Sequence, residues 1–179
     1  MEGIEYSALF KVQKYAEGLG IEVHMDWEGL NEFFKGDLDG QSIWIGKGLS
    51  TEEKLFNLLH LIGHTIQWNT DAASFSLGRV LHDKPDEKTI SKLYTYEWQA
   101  NCYGLFILEY LGFRLLKDWL QDSFRKDITQ LINFYRTGEM KPFSLKAVPI
   151  VELVPLSVPL WFIPQKMIEG SRDGIVMKF

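Results

Sequence analysis

Two histidines four residues apart are the residues of this sequence best suited to chemistry. His60 and His64 lie in the stretch 58–67, which is predicted to be helical. On a helix this spacing places both side chains one turn apart on the same face, where the two imidazoles can bind one zinc ion. In the usual hydrolytic pattern a glutamate follows the first histidine and acts as general base, but here that residue is Leu61. The sequence therefore predicts a metal site that lacks its usual base.

A third candidate ligand lies on the next strong helix, predicted from about Ile90 to Leu111. Glu97 would complete a three-ligand site and leave one position open for water. Asn101 is one turn further on the same face, where it can accept a hydrogen bond from the second ring nitrogen of a ligand histidine. Gly63 and Gly104 are expected to let the two helices approach closely. The alternative is two buried histidines bonded to the backbone, together with an ordinary surface carboxylate.

The helix that carries the histidines is predicted to line a cleft. Ser50 and Glu53 form a capping box at its start. Most of its surface is apolar, and Leu61 lies at the border of a single narrow polar stripe. Because so apolar a helix cannot be a solvated surface element, the stripe is expected to face a cleft. Its members are Glu53, Asn57, His60, His64 and Gln67.

The order of the remaining elements predicts an α+β fold, with a small antiparallel sheet packed on three or more helices. A first helix over 8–19, a half-buried strand over 21–27 and a hairpin formed by 33–35 and 42–45 precede the histidine helix. The polar residues 69–88 are expected to form a loop. A further helix is predicted from about 116 to 135.

The last part of the chain differs in composition. Residues 1–142 are predicted to form a zincin-like domain, and 143–179 an extended apolar segment packed on that domain or on a partner. Four prolines in the stretch 147–164 preclude a helix or a central strand there. The run Leu160, Trp161, Phe162 and Ile163 is too apolar to remain solvated, so we expect it to be buried against the domain or in a homodimer.

The composition limits the classes of partner and compartment. A formal net charge of −5 provides no basic surface, so direct nucleic-acid binding is not expected. The single cysteine, Cys102, cannot form an internal disulfide, which fits a reducing compartment. The N-terminus lacks the pattern of a signal peptide, and the apolar stretch 147–164 contains Glu152 and four prolines, unlike a transmembrane helix. These features predict a cytoplasmic protein without membrane association.

The order of the motifs resembles the ImmA/IrrE-type metallopeptidase domain, a small gluzincin. The resemblance covers about residues 4–112 and rests on His-x-x-Gly-His-x-x-Gln in one helix and Glu-x-x-Ala-Asn in the next. It implies that His60, His64 and Glu97 are zinc ligands, and it matches Asn101 to the asparagine of the second motif. The family's catalytic glutamate corresponds to Leu61, and the C-terminal third has no counterpart.

Because Leu61 stands where the family has its catalytic glutamate, the sequence is compatible with two functions from different classes. Leucine cannot transfer protons, and general acid–base groups contribute roughly 10²–10⁴-fold to such reactions. The first prediction is a pseudo-peptidase that works by binding a peptide or protein, with a transcriptional regulator as partner by family analogy. The alternative is an active zinc-dependent peptidase that takes its base from Tyr94, Tyr96 or the segment 69–88.

Overall fold

The computed structural model describes residues 2–28, 35–79, 85–137 and 151–168. These residues form an α+β structure, which confirms the predicted fold class. Its elements are α1 (Glu2–Gly18), β1 (Glu22–Trp27), β2 (Gly36–Leu38), β3 (Ser42–Gly46), α2 (Thr51–Thr70), α3 (Ala72–Arg79), α4 (Glu87–Tyr110), a 3₁₀ turn (Arg114–Leu116) and α5 (Lys117–Thr137). Within the described ranges, no helix is both long enough and apolar enough to span a bilayer.

The sheet is mixed, so the prediction of an antiparallel sheet is wrong for β1. The strand order is β1-β3-β2, with β1 parallel and β2 antiparallel to β3. A hairpin was predicted here and is present, but its first strand is Gly36–Leu38 rather than 33–35, and Asp37 pairs with Trp44 in the strand instead of lying in the turn. The turn includes Gly40 at φ 100°, and the predicted strand residues 33 and 34 lie outside the described ranges. The alternation of polar and apolar residues in β1 shows a half-buried strand. Alternation has the same two-residue period in parallel and antiparallel strands, so it could not predict the direction of β1. The β2–β3 hairpin places β3 between β1 and β2.

Helix α2 is the central element of the fold. Its apolar residues Leu55, Leu58, Leu59, Ile62 and Ile66 are fully buried, and it packs against α1, α4 and the sheet. The predicted capping box is present, because the Ser50 hydroxyl accepts from the backbone N–H of Glu53 and the Glu53 carboxylate accepts from that of Ser50.

Glycines allow α2 and α4 to approach closely, as predicted. A Cβ atom added at Gly63 would lie 2.6 Å from the Cα of Ala100, and one added at Gly104 would lie 3.2 Å from the Cβ of Leu59. The two helices that carry the candidate ligands are therefore in direct backbone contact at these positions.

Helix α3 was not predicted, since residues 69–88 were expected to form a loop. The carboxylate of Asp71 accepts hydrogen bonds from the backbone N–H groups of Ala73 and Ser74, which starts the helix. The ring of Phe75 packs edge-on against Trp68 with centroids 5.2 Å apart. A capping aspartate and one anchoring aromatic side chain are enough for eight residues of helix in a segment with little apolar periodicity.

Residues 151–168 contain no helix or strand and lie extended along the domain. Backbone N–H groups of this segment donate to side chains of three helices: Val151 to the Tyr94 hydroxyl, Leu153 to Gln121 and Gln165 to Asn69. The extended character of the segment was therefore predicted correctly for these residues. The predicted domain boundary at residue 142 lies outside the described ranges.

The run Leu160–Ile163 is not buried against the domain as a whole, which corrects part of the prediction. Phe162 is 8% exposed, whereas Leu160, Trp161 and Ile163 are 105%, 64% and 67% exposed. The backbone N–H of Phe162 donates to the carbonyl of Pro159, and in the resulting turn only Phe162 is directed back toward the core. Burial of the other three side chains in a homodimer remains a prediction.

Candidate metal centre

The structure brings the three candidate ligands together between α2 and α4. Nε2 of His64 lies 3.0 Å from Nε2 of His60 and 3.1 Å from Oε2 of Glu97. Nε2 of His60 lies 3.3 Å from the same carboxylate oxygen. Two residues one turn apart on α2 thus face one residue of α4, in the arrangement that the spacing predicted.

These separations fit one metal ion. Three ligand atoms at about 2.0–2.1 Å from a tetrahedral zinc ion lie roughly 3.3 Å from one another. The observed separations of 3.0, 3.1 and 3.3 Å are close to that value. Two imidazole nitrogens and one carboxylate oxygen also form a donor set that zinc prefers, with a fourth position left open. The buried group His60, His64 and Glu97 could therefore hold a metal ion.

Gln67 determines which ring nitrogen of neutral His64 carries the hydrogen. Its Oε1 lies 2.8 Å from Nδ1 of His64, and since an amide oxygen can only accept, Nδ1 carries the hydrogen. Nε2 of His64 therefore presents a lone pair to the centre of the group. The Gln67 amide is held in turn, because its Nε2 donates to the carbonyl of Tyr96 at 2.9 Å and to Gln99 at 3.3 Å. Gln67 lies on the predicted polar stripe, but its sequence position alone does not indicate this role.

Asn101 contacts His60, although through a different atom from the one predicted. Nδ2 of Asn101 lies 3.0 Å from Nδ1 of His60 and donates to the carbonyl of Glu97 at 3.0 Å. Its Oδ1 is buried without a hydrogen-bond partner. With Nδ2 as donor, Nδ1 of His60 accepts and the hydrogen of that ring lies on Nε2. Rotation of the amide by half a turn would instead make Oδ1 the acceptor, as metal ligation through Nε2 requires.

The hydrogen-bond roles leave one pair of atoms unsatisfied. Only the hydrogen on Nε2 of His60 points into the triangle of ligand atoms. Nε2 of His64 and Oε2 of Glu97, 3.1 Å apart, are then two acceptors that face each other. Either a second proton or a cation must lie between them. A second proton on His64 would satisfy both atoms, and so would a metal ion once the hydrogen of the His60 ring lies on Nδ1.

The electrostatics of the three groups are strongly coupled. Burial lowers the pKa of His64, so the neutral imidazole that a metal needs is favoured. Burial acts in the same direction on His60, but the adjacent Glu97 carboxylate raises the pKa of His60 overall. Although burial opposes its charge, the imidazoles of His64 and His60 lower the pKa of Glu97 to about 2. Glu97 is therefore a carboxylate at neutral pH.

Of the three candidate ligands, His60 is the most exposed to solvent. His64 is completely buried and Glu97 is 4% exposed, whereas 14% of the His60 side chain is exposed. The ring of Phe56, one turn earlier on α2, stacks on His60 with centroids 5.9 Å apart. A ligand from solution would therefore reach the group past His60 and Phe56.

Position 61 contributes an apolar side chain to the core. Leu61 is 7% exposed, and a Cβ atom added at Gly36 of β2 would lie 2.8 Å from its Cδ1. The carboxylates of the two glutamates at the start of α2 are engaged elsewhere. Glu52 accepts from Nε1 of Trp119 at 2.5 Å, and Glu53 is engaged by its cap and by Lys35 at 2.7 Å.

The two tyrosines considered as alternative bases use their hydroxyls elsewhere. The ring of Tyr96 stacks on His64 with centroids 4.4 Å apart, but its hydroxyl accepts from Nε1 of Trp68 at 2.8 Å. Burial raises the pKa of Tyr96 well above its usual value. The Tyr94 hydroxyl accepts from the backbone N–H of Val151. Both hydroxyls are therefore poor proton acceptors for this group.

A second carboxylate near the group was missed from the sequence. Asp127 of α5 is half-buried, and it interacts electrostatically with His60, Glu97 and Lys35. Burial is the main cause that raises the pKa of Asp127 to about 6; His60 opposes this rise and Glu97 adds to it. The available signal was its position on the otherwise apolar face of a predicted helix.

Comparison with protein-family models, with curated proteins and with solved structures finds no match for this chain. The resemblance to ImmA/IrrE-type domains therefore rests on the residues of the two motifs alone. The geometry by itself establishes an α+β structure with a buried His60, His64 and Glu97 group that could hold a metal ion.

Proposed function

We propose that this protein binds one zinc ion through His60, His64 and Glu97 and acts as a pseudo-peptidase, a metallopeptidase-like module that binds a peptide or protein partner. The observation that carries the metal assignment is the convergence of Nε2 of His60, Nε2 of His64 and Oε2 of Glu97, which lie 3.0–3.3 Å from one another. When bound at such a site, zinc acts as a Lewis acid and lowers the pKa of a coordinated water. The protein's own residues would hold the ion and orient its ligands.

Position 61 is the reason for proposing binding rather than efficient hydrolysis. Leu61 cannot accept a proton and packs in the core near β2. The nearest glutamates on α2 are held by Trp119, Lys35 and the helix cap. Without a positioned base, peptide hydrolysis loses the roughly 10²–10⁴-fold contribution of general acid–base catalysis.

The edge of the sheet is the surface on which an extended partner could bind. Within the described residues β2 is an edge strand, and Gly36 at its start lies over Leu61 on the helix of the candidate ligands. A peptide that pairs with a sheet edge gains backbone hydrogen bonds and places alternate side chains in neighbouring pockets. By analogy with ImmA/IrrE-type proteins, the partner would be a transcriptional regulator.

One observation favours a second candidate function, a zinc-dependent peptidase that uses a base from outside the histidine motif. Tyr94 and Tyr96 are poor candidates, as described above, but Asp127 presents a carboxylate near His60 and Glu97. Weak hydrolysis that depends on Asp127 would be compatible with the same metal site.

Metal analysis tests the proposed site. Protein purified without chelator or nickel resin should contain about one zinc ion per chain, as measured by inductively coupled plasma mass spectrometry. His60→Ala and His64→Ala should abolish zinc binding, whereas Leu61→Ala, which alters the same helix without removing a ligand, should retain it. Equal zinc content in the wild type and in both histidine variants would refute the site.

A further inference from the structure

A groove of about 820 Å³ runs between α3 and α4. On α4 its wall extends from Lys88 to Gln99, which is roughly 16 Å along a helix. On α3 several of the facing side chains are small, including Ala73, Ser74 and Ser76, and they leave space between the two helices. None of the described residues that line the groove is a candidate metal ligand.

The groove is open to water along much of its length. Ser74 and Tyr96 are buried, whereas Lys88, Lys92 and Thr95 are exposed. Small-molecule sites bury roughly 70–90% of the surface of their ligand, which an open groove does not do. An extended peptide fits this shape better, because about five residues at roughly 3.3 Å each match the length of the α4 wall.

The charged side chains of the groove favour an acidic peptide. Lys88 and Lys92 lie one turn apart on the α4 wall, and neither forms an ion pair with another described residue. Asp71 also lines the groove, but its carboxylate already accepts hydrogen bonds from the backbone N–H groups of Ala73 and Ser74 and from the Ser74 hydroxyl. Two ammonium groups are therefore left for the carboxylates of a bound segment.

The α4 wall also carries hydrogen-bonding groups that suit a peptide backbone. The hydroxyls of Ser91 and Thr95 donate to carbonyls of their own helix, so each oxygen can still accept from a peptide N–H. Oε1 of Gln99 accepts from Gln67, while the amide N–H groups of Gln99 form no hydrogen bond within the described part of the chain and can donate to a peptide carbonyl. Two acceptors, one donor and two positive charges thus lie along one face of α4.

Two residues that line the groove also support the candidate metal ligand His64. The ring of Tyr96 stacks on His64 with centroids 4.4 Å apart. Gln99 contacts Gln67, whose side-chain oxygen holds Nδ1 of His64. A segment bound in the groove therefore contacts the supports of the metal site without contacting its candidate ligands.

We propose that the groove between α3 and α4 binds an extended acidic peptide segment of a partner protein, with Lys88 and Lys92 paired to its carboxylates. The proposal rests on the binding role proposed above. It names a surface for that role in addition to the edge of the sheet, and it gives the partner a chemical character.

The charge of the groove is tested by fluorescence anisotropy of a labelled six-residue peptide of alternating leucine and glutamate, titrated with the full chain. The double variant Lys88→Gln/Lys92→Gln should bind this peptide at least about fivefold more weakly, because charge-assisted contacts are lost. A peptide with glutamine in place of glutamate should bind the wild type more weakly by a similar factor and should not distinguish the double variant from it. Arg125→Gln/Lys126→Gln, which removes two positive charges from exposed positions of α5, is the control and should bind like the wild type.

Blocking the groove separates it from other binding surfaces. Ala73→Trp places a large ring in the groove and should weaken binding of the acidic peptide at least about tenfold. Ala72→Trp is the matched control, because Ala72 is the neighbouring exposed residue of α3 and does not line the groove. Thermal unfolding of each variant separates loss of fold from loss of binding, and the lysine variants keep the test valid if Ala73→Trp is unstable.

The outcomes separate the groove from the wider binding role. Peptide binding of equal affinity in the wild type and Ala73→Trp would overturn the groove and place the peptide at another surface, such as the edge of β2. An equal loss in Arg125→Gln/Lys126→Gln would also overturn it, because the effect would then be one of overall charge. Absence of binding of the acidic peptide to the wild type would refute the groove, while the zinc content of the same protein decides the metal site independently.

Discussion

The side-chain oxygen of Gln67 lies 2.8 Å from Nδ1 of His64, and both side chains are buried. The other end of the same amide donates to the carbonyl of Tyr96, the residue that precedes Glu97. Gln67 therefore orients His64 on its own helix, and its amide is held by the backbone of α4 next to Glu97. The tautomer of His64 and the contact between the two helices are physically linked.

Gln67→Ala should weaken zinc binding about 10- to 100-fold, because His64 loses the partner that fixes its ring and tautomer. Gln67→Glu keeps the acceptor for Nδ1 but loses the donor to the Tyr96 carbonyl, so its affinity should fall between those of the wild type and Gln67→Ala, provided that thermal unfolding shows it to be folded. Competition with a zinc-binding dye measures the affinities. Gln99→Ala serves as control because Gln99 only accepts a longer bond of 3.3 Å from Gln67. Unchanged affinity in Gln67→Ala would show that the ring is oriented by its packing alone.

Gly63→Ala should destabilise the protein by more than about 2 kcal/mol, because the new methyl group would overlap the backbone of Ala100. The helices can relieve the overlap only by moving apart, which also separates His64 from Glu97, so zinc affinity should fall. Urea unfolding measures the stability. Gly3→Ala in α1 has open space around the added methyl group and should be neutral. Similar stability of the two variants would contradict the close helix contact.

The metal-free protein should lose stability in acid partly through Glu97. Its folded pKa of about 2 lies below 4.5, the usual value for a glutamate in an unfolded chain. The charged form therefore contributes stability that is present above about pH 4.5 and lost as the pH falls toward 2. Glu97→Gln should be less stable than the wild type by about 2 kcal/mol at pH 6 and nearly equal to it near pH 2. Urea unfolding across this pH range measures the difference in stability, and the exposed Glu28→Gln is the control. A difference between Glu97→Gln and the wild type that does not change with pH would show that the charge of Glu97 is not its cause.

Leu61→Glu should create or increase peptide hydrolysis, by at least about 10²-fold over the wild type if only the base is missing. Because Leu61 is buried, the new carboxylate costs free energy of desolvation, so folding and zinc content must be measured first. Leu61→Gln is the matched control, with a similar shape and no base. An unfolded protein or a peptide library serves as substrate.

Two results of these activity measurements bear on the proposed function. A folded, zinc-loaded Leu61→Glu protein without activity would mean that the substrate cleft has also diverged, which strengthens the binding role. Robust wild-type activity that disappears in His64→Ala would overturn the pseudo-peptidase proposal.

The two neighbouring aromatic residues of the C-terminal segment should differ in their effect on stability. Phe162→Ser should cost about 2–3 kcal/mol, because Phe162 is 8% exposed and packs on the core. Trp161→Ser should leave the stability of the monomer within about 0.5 kcal/mol, since Trp161 is 64% exposed. If the segment forms a homodimer, Trp161→Ser should also shift sedimentation toward the monomer. Equal destabilisation by both changes would contradict the described turn.

Local physics was enough to predict α1, α2, α4, α5 and the face that carries the ligands. The period of 3.6 residues places His60 and His64 together, and Glu97 one turn before Asn101, whatever surrounds them. The Ser50–Glu53 cap also depends on residues within one turn. The direction of β1 and the existence of α3 could not be predicted in this way, because strand pairing and the Trp68–Phe75 contact depend on how the chain packs.

The sequence by itself determined that His60 and His64 share one face of a helix and that Leu61 occupies the position of a base. Only the tertiary structure decided that Gln67 orients His64 and that Trp161 is exposed while Phe162 is buried. Periodicity shows which side of an element is buried. The residues that meet there come from distant parts of the chain, and only the packing of the elements selects them.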